Sequence, residues 1–157
     1  QETQDARLAH QEAEEALYSV LDAFKKARKK DPKFQYAMEQ PAWSEMRHNH
    51  RVRKELGEGI VIAGCAYGER QSEKKYRLWM SPETEKHFQA IDPRSEQSQC
   101  RWCKEGKLHP QAYCPKPGQD AQRITLAGYT TAAARNRVPP DLAEAVARAQ
   151  WKGRYEN

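Results

Sequence analysis

Between Thr3 and Lys30 the apolar side chains Leu17, Val20, Leu21 and Phe24 recur every three or four positions, and Leu8, Ala13 and Ala16 extend the pattern toward the N-terminus. That spacing predicts one long amphipathic helix. The run Lys25, Lys26, Ala27, Arg28, Lys29, Lys30 ends it, because cations complement the negative end of a helix dipole, and Asp31-Pro32 supplies the stop. Pro41 suits the first turn of a second helix, predicted to reach about Leu56, with Gly57 as its stop and Trp43, Met46 and His50 at roughly helical spacing. Arg47, Arg51 and Lys54 then form a basic stripe of their own.

Beyond Gly59 the pattern changes. Residues Ile60 to Tyr67 are β-prone, and after a polar stretch Tyr76, Arg77, Leu78 and Trp79 form a second such run, so a β-hairpin is predicted. Cys65 lies in the first run and reads as a small buried hydrophobe. Ser81-Pro82-Glu83 is a helix start, predicting a short helix through Phe88, and Val138-Pro139-Pro140-Asp141 introduces a last helix in which Leu142, Ala145, Val146 and Ala149 share a face. The expected fold is α+β and mainly helical. It comprises a helical arm over 1–57, a hairpin and short helix over 58–91, a metal-stapled loop over 92–120 and a C-terminal helical segment over 121–157.

Composition limits how much of this can stand alone. Of 157 residues, 38% are hydrophobic and 31% charged, with a mean hydropathy of -1.08, so little apolar surface is available to offset the entropy of ordering the chain. Metal or partner is expected to order some of it. The net charge of +5 suits a polyanion. No stretch approaches the roughly 18 apolar residues of a membrane span, and no signal peptide is evident; a soluble chain is expected. The chain starts at Gln1 rather than Met, which is compatible with a missing initiator or import leader.

Residues 92 to 120 are rich in Pro, Gly, Gln and Lys, and they hold Cys100, Cys103, His109 and Cys114 in the pattern C-x2-C-x5-H-x4-C. Three thiolates and one imidazole complete a tetrahedral zinc shell and leave no position for water, so the expected site is structural and the expected cofactor is zinc. The alternatives are incidental cysteines in a polar loop or a redox pair, though no βαβ pattern surrounds the CxxC. A reducing intracellular compartment follows from either metal or thiol, and a mitochondrial or other organellar address is compatible with it. No Walker loop, dinucleotide fingerprint, nucleophile elbow or deaminase signature is present. His48-Asn49-His50 sits on a predicted helix where adjacent side chains diverge, which disfavours a shared nuclease site.

Over about fifteen residues the metal segment resembles a CCHC zinc knuckle, with five residues in the middle interval where the knuckle has four. The resemblance implies zinc and contact with single-stranded nucleic acid by stacking of bases on aromatics. Trp102 and Tyr113 stand beside ligands, with Arg101, Lys104 and Lys107 among them, an interleaving of rings and cations that suits stacked bases or, equally, a small core for the loop. A weaker similarity is to the cysteine-rich segment that follows the J domain of some co-chaperones, carried by Leu108-His109-Pro110; the His-Pro-Asp signature is absent.

The expected function is a non-catalytic zinc-binding subunit of a ribonucleoprotein, ribosome-like, or of another large assembly. RNA contact falls to Lys25, Lys26, Arg28, Lys29, Lys30, Arg47, Arg51, Lys54, Arg101, Trp102, Lys104, Lys107 and Tyr113, with protein subunits as further partners and no small-molecule substrate. The alternative is a protein-binding accessory subunit of a non-RNA organellar enzyme complex. Purified protein should contain one zinc per chain by elemental analysis; clearly substoichiometric zinc with all thiols free would remove the staple.

Overall fold

The computed structural model describes residues 2–67, 75–91 and 138–156. The first helix, α1, spans Gln4–Lys30. Thr3 caps it, its Oγ1 accepting from the Ala6 amide at 3.1 Å, and at the other end the Asp31 amide donates to the Ala27 carbonyl at 2.8 Å. A helix of this length extends about 40 Å. On it only Leu17 and Leu21 are buried; Phe24 is half-buried, Val20 is exposed, and Leu8, Ala13 and Ala16 are exposed as well. The predicted apolar face therefore contracts to the stretch that meets the sheet. Three strands are only about 10 Å across, too narrow to cover the whole helix.

The segment after α1 departs from expectation. Ala37–Pro41 is a strand, β1, rather than the approach to a helix, and Pro41 closes it at a sheet edge where a missing amide is tolerated. A 3-10 turn follows at Glu45–His48, with Ser44 Oγ accepting from the Met46 amide. Helix α2 covers only His50–Glu55. The predicted helix from Pro41 to about Leu56 is broken because the Asn49 side chain takes the amides of Arg51 and Val52, at 2.9 and 3.1 Å, and so starts a new helix in the middle of the stretch.

Strands β2, Ile60–Ala63, and β3, Lys75–Met80, pair antiparallel as the predicted hairpin requires, with Ile60 opposite Leu78 and Ile62 opposite Tyr76. The sheet order is β1-β3-β2, and β1 also runs antiparallel to β3, with Met38 opposite Trp79. Between β2 and the end of the first described stretch lies a second 3-10 turn, Gly64–Tyr67, which carries Cys65. Two more helices complete the described fold: α3, Pro82–Ile91, and α4, Pro140–Tyr155. The chain is thus mainly helical α+β, with a small antiparallel sheet and a C-terminal helix.

β3 is covered from both sides. Tyr76, Leu78 and Met80 pack with Ile62, Phe88 of α3 and Leu142, Ala145 and Ala149 of α4. Trp79, of opposite parity, packs with Leu17 and Leu21 of α1 and Val52 of α2. The result is a three-layer arrangement, α1 and α2 on one face of the sheet and α3 and α4 on the other. At Gly153 a Cβ would lie 2.8 Å from Gln35 Oε1 and 3.0 Å from the Thr84 amide nitrogen, so glycine lets α4 close onto the start of α3.

Gly57 and Gly59 both have positive φ, +80° and +68°, and together they wrap the indole of Trp79, whose Nε1 donates to the Gly57 carbonyl at 3.1 Å. A Cβ on Gly59 would sit 2.5 Å from the Leu78 carbonyl oxygen, whereas one on Gly57 would meet open space. Gly57→Ala should therefore lose about 1 kcal/mol from backbone strain alone, and Gly59→Ala about 3 kcal/mol because a backbone clash is added. Chemical denaturation of both variants checks this; equal losses would show that the turn is not pressed against β3.

Candidate nucleic-acid interface

α1 places its last two turns so that one face packs on the molecule and the other faces solvent. Leu17, Leu21, Phe24 and Arg28 follow one another at intervals of three or four, and Arg28 continues the buried stripe. Its guanidinium binds Glu83 of α3 through both terminal nitrogens, at 3.0 and 3.1 Å, and donates to the Phe34 carbonyl at 2.7 Å. The fork holds the Glu83 carboxyl below its ordinary range, and that carboxylate raises Arg28 in turn. Arg28 ties α1 to α3.

Lys25, Lys26, Lys29 and Lys30 occupy the remaining, exposed positions. Lys25 Nζ lies 4.0 Å from Glu55, with its side chain 79% exposed. Among the described residues no carboxylate pairs with Lys26, Lys29 or Lys30. Lys33, just past the helix, is exposed as well.

On α2 the sequence stripe divides in the same way. Arg51 bonds Glu55 at 3.0 Å and Asp22 of α1 at 2.8 Å, and its guanidinium lies 4.7 Å from the Tyr18 ring centroid. Glu55 first and Asp22 second hold Arg51 above its ordinary value. Lys54 is exposed, and so is Arg53. Arg47 lies 4.9 Å from the ring centroid of Trp43, an indole 65% exposed, and donates to His48 Nε2 at 3.0 Å. The three stripe residues thus do not share one face: one is an internal tie, one is exposed with no carboxylate partner among the described residues, and one stacks on an exposed ring.

A second tie closes the far side, where Arg154 of α4 donates to Asp31 at 2.8 Å and lowers that carboxyl. Both Asp31 and Glu83 are held below their ordinary values, so each ion pair contributes at neutral pH and is lost as acid protonates the carboxylate. Between these ties lies a polar knot. Gln35 Oε1 accepts from the buried hydroxyls of Ser81 and Thr84, each at 2.7 Å, and the Tyr36 amide donates to Ser81 Oγ at 3.1 Å.

The expected metal ligands Cys100, Cys103, His109 and Cys114, and the neighbours Arg101, Trp102, Lys104, Lys107 and Tyr113, lie outside the described residues. Among the described residues no group of three His, Cys, Asp or Glu side chains is placed to hold a metal, and no helix is long and apolar enough to cross a membrane. Sequence reasoning passed over Lys33 and Arg53, both exposed cations next to ones it named. It also passed over Gln35 and Thr84, and it read Ser81 only as a helix cap; their knot joins residues far apart in sequence and leaves no local signal. Asn49, part of a triplet considered for metal chemistry, caps α2. Neither a family model nor a curated protein nor a solved structure matches the chain.

Proposed function

We propose that this chain is a nucleic-acid-contacting subunit of a larger assembly, with the end of α1 laid against phosphates and a zinc-stapled segment, Cys100 to Cys114, supplying further contact to single-stranded RNA. The observation that carries the reading is the division of charge on α1: Arg28 is engaged by Glu83, while Lys26, Lys29 and Lys30 have no carboxylate partner among the described residues. A helix end that pairs its arginine and leaves its lysines in water presents a ready surface for counterion release. Lysine serves there as a solvated point charge that needs no fixed geometry. Such contacts read phosphate rather than sequence.

A second reading, docking on a protein subunit, is favoured by the outer face of α4. Ala143, Ala147, Trp151 and Tyr155 recur at intervals of four, all are exposed, and the two aromatic rings lie 4.4 Å apart. The two surfaces are on different elements and are separable by mutation.

The test is the salt dependence of binding to a single-stranded RNA and to a DNA duplex of equal length. Changing Lys25, Lys26, Lys29 and Lys30 to Gln, with Arg28 kept so that the α1–α3 tie survives, should weaken binding and flatten the log-log slope on the single strand by about 3. Unchanged affinity and slope would return the lysines to plain solvated charge, and absence of binding at low salt would favour the protein-docking reading.

A further inference from the structure

Beside the lysine run, α1, the end of α2 and the approach to β1 enclose an open cleft of about 350 Å³. Its walls are apolar and partly aromatic: Leu21 and Phe24 come from α1, Tyr36 from the segment before β1, Leu56 from the end of α2 and Pro82 from the start of α3, while Lys25, Arg28 and Glu55 stand among them as charged groups. Phe24 and Tyr36 stack with centroids 4.6 Å apart and planes 12° from parallel, and both are only half-buried. The aromatic pair is thus held flat by internal stacking and still meets solvent.

We propose that this cleft receives one unstacked nucleobase of a bound single strand, an inference that rests on the nucleic-acid reading above and locates a base site within it. Three features select that occupant. The volume is near the lower end of ligand pockets, which run from about 300 Å³ upward, so it suits a single base with part of its sugar rather than a longer segment. The apolar and aromatic walls accept a flat ring of any base, as stacking platforms do. The polar groups match what accompanies a base. Arg51 donates to both oxygens of Glu55, at 3.0 and 3.3 Å, and the lone pairs that remain can accept from an exocyclic amine or ring N–H. Lys25 and Lys29, one turn apart on the same side of α1, are spaced to meet the flanking phosphates. An apolar protein side chain would fill the same walls but leave the cations unanswered.

The experiment compares the full chain's affinity for a single-stranded DNA of about twelve nucleotides with that for a fully abasic strand of equal length and charge, at one salt concentration. The abasic strand should bind about tenfold more weakly, since stacking of even one base has roughly that worth. Phe24→Leu, which keeps apolar volume and removes the ring, should bring the intact strand down toward the abasic affinity, while Phe24→Tyr should preserve the difference; thermal unfolding confirms that both variants are folded. Equal affinity of the wild-type chain for the two strands would overturn the base site by itself, whatever the variants do, and would leave the phosphate surface standing. A preference that persists unchanged in folded Phe24→Leu would likewise overturn it, placing the bases elsewhere. Failure to bind either strand at low salt would remove the base site together with the nucleic-acid reading.

Discussion

β3 has its backbone paired along both edges and its side chains covered on both faces, and that double demand governs the placement of every other described element. A strand of alternating parity sends Tyr76, Leu78 and Met80 one way and Trp79 the other. Burial of either set alone would leave large apolar surface in water, so two helical layers are needed, α1 with α2 and α3 with α4. The central strand also explains β1. Its sequence, Ala-Met-Glu-Gln-Pro, has little β character, yet the edge of β3 offers a row of amides and carbonyls that must be satisfied once α1 and α3 have buried the strand. Arg77, on the Trp79 side, spans the two ends of that arrangement by donating to the carbonyls of Ala42 and Glu58.

The basic residues divide by chemistry. Arg28, Arg51, Arg77 and Arg154 each direct their forks at carboxylates or carbonyls of another element, and thereby tie α1 to α3, α2 to α1, the sheet to its flanking turns and α4 to the end of α1. The exposed cations in the last two turns of α1, Lys25, Lys26, Lys29 and Lys30, are lysines. A planar guanidinium can hold two oxygens in one geometry, which makes it useful for joining elements; a compact, strongly hydrated ammonium does best in water, where it is available to a polyanion. At the end of α1 the lysines are therefore the cations left in water where the fold has used Arg28. The cleft beside Lys25 lies where these two uses meet, with structural ion pairs behind it and exposed lysines at its side.

Much of the fold was legible in the sequence. The length of α1, the pairing of β2 with β3, the start of α3 at Ser81-Pro82 and the apolar face of α4 all follow from local pattern, because each is set by residues within one or two turns or along one strand. The failures were of a different kind. The helix expected from Pro41 gave way to the side chain of Asn49 and to an edge strand imposed by β3, and neither is visible in periodicity. Arg28 was grouped with its lysine neighbours by charge, although its spacing from Leu17, Leu21 and Phe24 marks it as part of the inward face. The knot of Gln35, Ser81 and Thr84 is built from hydrogen bonds between residues more than 40 positions apart, which no local rule foresees. Of the candidate site, the exposed lysines were readable from composition and helix position; the cleft formed by Phe24, Tyr36 and Leu56 was not, since its walls come from separate segments of the chain.

The central claim is that one strand holds both helical layers in a single cooperative unit. Native-state hydrogen exchange on the wild-type chain and on Trp79→Leu addresses it directly. In the wild type the amides of β3 should be the slowest to exchange, with residues 17–24 and 142–149 sharing the same opening free energy; in the variant all three groups should lose protection by the same amount, by about 2 to 4 kcal/mol for an indole replaced in a packed core. If residues 17–24 lose their protection while β3 and residues 142–149 keep theirs, the layers are independent and the account of β3 as their common support is wrong.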